Sequence, residues 1–253
     1  MADGEADFNL PVITAFSFKG GAGKTTLLAL LGSAALASGY RVIFIDTDST
    51  KNLTTWQGTA VQNGYWPDTA QLHHTLDEDR VTQIIDDAYD TRSADLVLLD
   101  TPGFATKALD QLLAVSDFVM SPLQLSQPDA VSAAATRDWM QAFYLRLGAG
   151  APRPAHCFVA NNVKNLSRLS VTERKYLDRA RADFALVKTM VPHRATLAMM
   201  TDKGPLGEII KHHISEEHEG ARITAGHSTD LLELAMQVMN DVLPHNVWEA
   251  EDA

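Results

Sequence analysis

The sequence predicts an α/β fold, a single-domain, doubly wound and mainly parallel sheet with helices on both faces. Two observations carry this expectation. Short, continuously apolar runs alternate with helical stretches from Pro11 onward, the pattern of strands buried on both sides. A glycine-rich turn also stands directly between the first such run and the first helical stretch.

Val12 to Ser17 is a short β-rich run, and Thr25 to Ser38 has helical composition ending at Gly39, a natural C-terminal stop. Arg41 to Asp46 (RVIFID) reads as a second buried strand. Val81 to Arg92 is helical, with Val81, Ile84, Ile85 and Ala88 on one face. Asp95 to Asp100 (DLVLLD) and Asp117 to Ser121 (DFVMS) give the third and fourth strands, and Ala130 to Leu147 a helix between them and the next. His156 to Ala160 is a fifth strand, Thr172 to Ala182 a helix, Leu186 to Val191 a sixth strand, and Thr229 to Val242 the closing helix. No repeat or linker interrupts this order. One domain over residues 11–253 is expected, behind an acidic tail of residues 1–10.

Composition narrows the function. The chain has 253 residues, 21 Lys+Arg against 32 Asp+Glu, a net charge of −11 and one cysteine. A lone cysteine excludes an intrachain disulfide and any cysteine-only metal or cluster site. The longest apolar-looking run, Leu27 to Ala37, is too short to span a bilayer. The first nine residues carry Asp3, Glu5 and Asp7, unlike a signal or transit peptide. A cytoplasmic protein of bacterial type is expected, and the acidic balance leaves room for a local basic patch only.

The strongest motif is Lys19-Gly20-Gly21-Ala22-Gly23-Lys24-Thr25-Thr26, between a strand and a helix. Glycines let backbone N–H groups close around phosphate oxygens, and the helix N-terminus adds its positive end. Lys24 would neutralise the β- and γ-phosphates of ATP or ADP, and the Thr25 hydroxyl would ligate Mg²⁺. The strict pattern asks for glycine where this chain has Phe18; a lysine at position 19 within KGGxGKT marks instead the deviant form of the loop.

On these residues the chain resembles the ParA/MinD family of deviant Walker A ATPases. Further matches are Asp46-Thr47-Asp48 closing the second strand and Leu96 to Gly103 (LVLLDTPG) as the metal-binding strand and second switch. Asp117 to Asp129 fits a P-x-x-x-S-x-x-D stretch, and Met190 to Gly204 fits a late proline segment. Within the family, FSFKGGAGKTT, Asp46 to Trp56 and the P-H-x-R segment look nearest to the VirC-type ATPases of T-DNA transfer. The resemblance implies an ATP-dependent sandwich homodimer in which Lys19 reaches the partner's phosphates. It also implies Mg²⁺ held by Thr25, Asp46 and Asp100, attacking water oriented by Asp48, and Pro192 beside the adenine. Asn161 and Asn162 end the fifth strand, where the family often contacts the base and where an asparagine pair equally serves a turn.

Other residues read as structural. Cys157 is expected as a buried core thiol, and the pairs His73-His74 and His212-His213 as solvated loop histidines without metal-site spacing. Trp56 and Trp66 suit packing or a dimer surface better than base stacking.

Lys164 to Arg194 carries eight basic residues against three acidic ones, a local balance of +5. Lys164, Arg168, Arg174, Lys175, Arg179 and Arg181 are its candidate DNA contacts, since the resemblance implies non-specific DNA binding; a solvated, charge-decorated helix is the plainer alternative. No helix-turn-helix unit is expected before Pro11. Leu243 to Ala253 carries Glu249, Glu251 and Asp252 with no Lys or Arg, which argues against a membrane-binding tail. Cluster-carrying relatives such as nitrogenase iron protein and the Mrp scaffolds need cysteines that this chain lacks. The expectation is therefore a weak ATPase of the ParA type that positions DNA or cargo with a partner protein or cargo adaptor, in association with the nucleoid. Two alternatives stand beside it: a nucleotide-switched protein-docking module without DNA contact, and a metabolic P-loop enzyme, for which no substrate motif is found.

Overall fold

A computed structural model describes residues 8–104, 107–215 and 219–243. Its centre is a six-stranded, wholly parallel sheet of β1 (Val12–Ala15), β2 (Val42–Asp46), β3 (Ala70–His74), β4 (Leu96–Asp100), β5 (Phe118–Leu123) and β6 (Ala155–Ala160). The spatial order is β3-β2-β4-β1-β5-β6, so β2 and β3 lie on one side of β1 with β4 inserted next to it, and β5 and β6 lie on the other. Ligands in such sheets sit beyond the carboxyl ends of the strands, at the point where the winding reverses.

Alternation within each strand feeds two cores. Val42, Phe44, Leu96 and Leu98 face one side and pack with α1 (Lys24–Ala37) and α9 (Glu219–Val242). Ile43, Ile45, Val97 and Leu99 face the other and pack with Val81, Ile84 and Ala88 of α3 (Glu78–Thr91). α4 (Lys107–Ala114) and α5 (Gln127–Arg146) complete that second face. Helix α1 is buried on nearly every side, so it is apolar all round rather than striped. Gly32 lets α1 lie against the sheet: a Cβ there would fall 2.3 Å from the Phe44 ring.

The strand and helix readings hold within a few residues except at three places, of which one is the closing helix: it starts at Glu219, ten residues before the Thr229 expected. Leu186 to Val191 is not a strand. It runs beside β6, pairing only at Phe158 with Leu186 and at Val163 with Pro192. Between these points the Thr189 amide turns away to Asp241 of α9, 2.6 Å distant, so the bonds of Val187 to Phe158 and of Val191 to Ala160 do not join into one ladder. The sixth strand is instead β3, an edge strand bonded to β2 alone, with polar Gln71, His73 and His74. This corrects the histidine reading too: His73 and His74 are half-buried on β3, and His212 and His213 end α8 (Leu206–Ser215). The sequence signals α6 (Val171–Asp183) but gives no clear sign of α2 (Asn52–Gln62), α4, α7 (Ala195–Lys203) or α8.

Trp56 and Trp66 do pack, edge to face with each other and against Phe44. Cys157 is half-buried against the core, and burial together with the charge of Asp241 pushes its thiol up to about 12. No helix among the described residues is long and apolar enough to cross a membrane. Residues 1–7 of the acidic tail and residues 244–253 of the C-terminal segment lie outside the described residues.

Candidate nucleotide site

The loop after β1 opens directly onto α1. Gly21 and Gly23 take positive φ values of 72° and 104°, open only to residues without a side chain at low cost. A Cβ on Gly23 would in addition fall 2.1 Å from the Asn161 amide nitrogen. Gly23 is the N-cap of α1, and no side chain caps it, so the first-turn N–H groups and the helix dipole are left to an anion.

Lys24 is buried at the base of the loop. Gly103 closes over it, near enough that a Cβ there would lie 3.4 Å from the Lys24 Nζ. The Thr25 hydroxyl donates to Asp100 Oδ2 at 2.5 Å. Asp100 Oδ1 is buried without a hydrogen-bond partner. Burial raises the Asp100 pKa to about 7; Thr25 and Lys24 oppose the shift, and the carboxylates of Asp46 and Asp48 add to it. A buried, orphaned carboxylate oxygen beside a threonine hydroxyl is the donor set of a hard divalent cation, so these residues fit Mg²⁺.

Asp46 stands in register with Asp100 on the neighbouring strand, but its carboxylate is already engaged. It accepts from the Asp48 amide at 3.1 Å, the Thr54 amide at 3.0 Å and the Thr54 hydroxyl at 2.8 Å. Asp46 therefore fastens the loop to the start of α2. Asp48 projects into the same cleft as the phosphate loop, while one of its oxygens accepts the Thr50 amide as a turn carboxylate does.

Lys19 does not fold into its own loop. Its Nζ lies 2.7 Å from Oδ2 of Asp129, which is buried on α5 and also bonded by the Ser126 hydroxyl. Sequence reasoning misses Asp129 as a partner of Lys19, although it ends the P-x-x-x-S-x-x-D stretch, and that spacing is the signal that could have found it.

Asn161 is buried and donates to the Ala22 carbonyl at 3.1 Å, bracing the phosphate loop. Asn162 takes a left-handed conformation and its carboxamide meets His193, so both asparagines have turn and bracing work in the chain itself. Pro192 sits beside them, bridged to Val163. The cleft, about 450 Å³, runs from Gly20–Thr26 along α2 to Thr201 of α7, past Thr55, Trp56 and Thr59. Trp56 is pinned there by its indole N–H, which donates to the Met200 carbonyl at 2.9 Å.

The basic candidates lie elsewhere, on and before α6, and all six are exposed. Several are already paired: Lys164 with Glu173, Arg179 with Asp183 and Arg181 with Asp178. Arg174 donates back to the carbonyls of Leu169 and Leu166. Glu173 also closes a capping box with Ser170, and those hydrogen bonds, with Lys164, hold its carboxyl down at about 2.

Comparison with known proteins agrees with this architecture. The chain is 26% identical over 197 residues to protein virC1 of Rhizobium rhizogenes, covering 78% of this chain and 83% of that one. It is 28% identical to protein ParA of Rhizobium radiobacter over 121 residues, 48% of this chain and 52% of that one. Among solved structures, the septum site-determining protein MinD complexed with Mg-ADP from Pyrococcus horikoshii superposes with a TM-score of 0.61 at 17% identity, over 97% of this chain and all of that one. The pNOB8 ParA structure gives 0.63 at 15% identity, over 92% and 100%. Identity this low speaks to the fold alone, which is the P-loop fold of MinD and ParA. The model of the family described as VirC1 protein matches residues 10–247, nearly the whole chain, and the chain belongs to the VirC1 family.

Proposed function

We propose that this protein is a weak Mg²⁺-dependent ATPase that dimerises around ATP, binds DNA without sequence preference and positions DNA or cargo through a partner protein. The observation that carries the reading is the division of labour between two lysines. Lys24 is buried in its own phosphate loop, whereas Lys19 is held 2.7 Å from Asp129 and leaves that loop to Lys24.

In this reading the α1 N-terminus and Lys24 receive the β- and γ-phosphates, and Thr26 lies with them along the cleft. Thr25 and Asp100 hold the cation, which supplies charge neutralisation for phosphoryl transfer. Asp46 keeps the loop carrying Asp48 in place, and Asp48 orients the attacking water. Lys19 exchanges Asp129 for the phosphates of a second copy. The base lies toward Asn161, Asn162 and Pro192. The exposed row from Lys164 to Arg181 meets DNA phosphates, giving a cytoplasmic, nucleoid-associated protein that acts in plasmid partition or in transfer of a DNA strand.

One observation favours a second reading, a nucleotide-switched docking module with no DNA contact: three of the six basic candidates are already neutralised by neighbours on the same segment. Such exposed pairs are worth about 0–1 kcal/mol, so phosphates can displace them. The test is light scattering with a slowly hydrolysed ATP analogue, followed by a DNA gel shift. Wild-type protein should dimerise and then shift DNA, and Lys19→Ala should bind ADP yet stay monomeric. A Lys19→Ala protein that dimerises normally refutes the exchange, and a dimer that leaves DNA unshifted selects the docking module.

A further inference from the structure

A second cleft, of about 340 Å³, opens on the opposite side of the two nucleotide-facing loops. Its floor is apolar, formed by Val81 of α3, Leu112 of α4 and Pro102. Leu76 and Phe104 stand at its mouth, 61% and 58% exposed, two large apolar side chains left to water on one small patch. Asp77 and Glu78 line the same mouth, and α3 continues acidic: residues 77–92 hold six carboxylates against Arg80 and Arg92. Arg80 is turned along the helix to Gln83, at 3.2 Å.

Thr47 and Ser49 from the Asp46–Asp48 loop, and Pro102 and Phe104 from the segment after Asp100, form the remaining wall. Thr47 ties these two segments together, since its amide and its hydroxyl both donate to the Asp100 carbonyl, at 3.0 and 2.7 Å. Anything wedged against Thr47 and Pro102 therefore presses on the backbone that carries Asp48, Asp100 and Gly103.

We propose that this cleft is a docking site for a basic segment of a partner protein that anchors one or two large apolar side chains between Leu76 and Phe104. Charge selects the occupant. Apolar anchors alone would suit many segments, but the carboxylate rim favours Lys and Arg beside the anchors and repels acidic ones. Residues 1–7, with Asp3, Glu5 and Asp7, do not qualify, nor do residues 244–253, with Glu249, Glu251 and Asp252 and no Lys or Arg. The effect of docking on nucleotide rests on the ATPase reading above; the docking itself does not.

The experiment uses the full chain and a dye-labelled ten-residue peptide of alternating leucine and arginine pairs, with a glutamate-for-arginine version as control. Anisotropy without nucleotide should show binding of the basic peptide only. Leu76→Ser with Phe104→Ser, both at exposed positions, should weaken it at least tenfold while the melting temperature stays within a few degrees. Asp77→Asn, which keeps a helix cap, with Glu78→Gln should weaken it several-fold, and the equal charge change at Asp87→Asn with Asp90→Asn, farther along the helix, should leave it unchanged. Equal loss from both charge pairs, or full binding by the Leu76/Phe104 variant, overturns the site. Self-association by sedimentation that the Leu76/Phe104 variant abolishes also overturns it, and gives the face to a second copy. A separate thermal shift with Mg-ATP tests nucleotide binding, so failure of the ATPase reading is seen apart from failure of the docking site.

Discussion

The phosphate-loop end and the α6 flank both concentrate charge, yet they hold it in opposite ways. At the phosphate loop the charges are few, buried and incompletely matched: Lys24 is enclosed, Asp100 has an oxygen with no partner, and α1 begins without a side-chain cap. On α6 the charges are many, exposed and already answered by Glu173, Asp178 and Asp183. Buried mismatch costs several kcal/mol unless a ligand relieves it, whereas exposed surplus costs almost nothing. A ligand site is therefore marked by what the protein leaves unsatisfied, and a count of basic residues carries much less.

The largest effect expected from this contrast is at Lys24. Lys24→Ala removes the enclosed cation and should abolish nucleotide binding. Wild-type protein at 100 times its Kd of Mg-ATP should gain about 2.7 kcal/mol, read as a rise in Tm, and the variant none. A wild-type rise in the variant would break the comparison at its strongest point.

Asp48→Ala comes next. It should bind ATP and dimerise but hydrolyse slower by about 10²-fold or more, as loss of a water-orienting carboxylate implies. Single-turnover hydrolysis decides the matter. A wild-type rate would leave Asp48 with only its bond to the Thr50 amide.

Asp100 yields a pH prediction. Its carboxyl is raised from 3.8 to about 7 in the folded chain, so the native state binds that proton more tightly than the unfolded state does. The associated stability is fully present below the unfolded value and falls as pH rises through about 7, by a few kcal/mol in all. Without ligands, wild-type protein should lose Tm between pH 5 and pH 8 more steeply than Asp100→Asn. Mg-nucleotide should flatten the wild-type slope. Parallel slopes for the two proteins would mean that the buried oxygen is not under strain.

The smallest effect belongs to α6. Replacing Arg174, Lys175, Arg179 and Arg181 with alanine should leave Tm and ATP-driven dimerisation nearly unchanged. The salt dependence of DNA binding should flatten by up to about 0.9 in log–log slope for each DNA phosphate that the variant no longer neutralises. An unchanged slope moves DNA away from this flank.

Much of this was legible in the sequence, for identifiable reasons. Strands β1, β2, β4, β5 and β6 are buried on one or both faces, so their apolar runs announce them. The edge strand β3 needs only a half-buried side and admits Gln71, His73 and His74, which hid it. Leu186 to Val191 misled because it has a strand's composition without a strand's continuous partner. At the site, contiguous residues were readable and convergent ones were not. Lys19 to Thr26 is one stretch of chain, while the ion pair of Lys19 with Asp129 spans 110 positions. Asp46 could be placed at the strand end, but its commitment to Thr54 depends on how α2 begins.

The registry of the central strands has a consequence for what evolution can change. Asp46 of β2 and Asp100 of β4 occupy the same rung, next to Ala15 of β1. A single-residue insertion within β2 or β4 would move one carboxylate off that rung and reverse the faces of the side chains on one side of it; in β2 it would set Ile43 or Ile45 in place of Phe44 against Gly32. Length variation should therefore collect in the turns at the amino ends of the strands, such as the one through Gly39, where an added residue alters neither core nor site. The edge carrying the phosphate loop should stay constant in length while its opposite edge drifts.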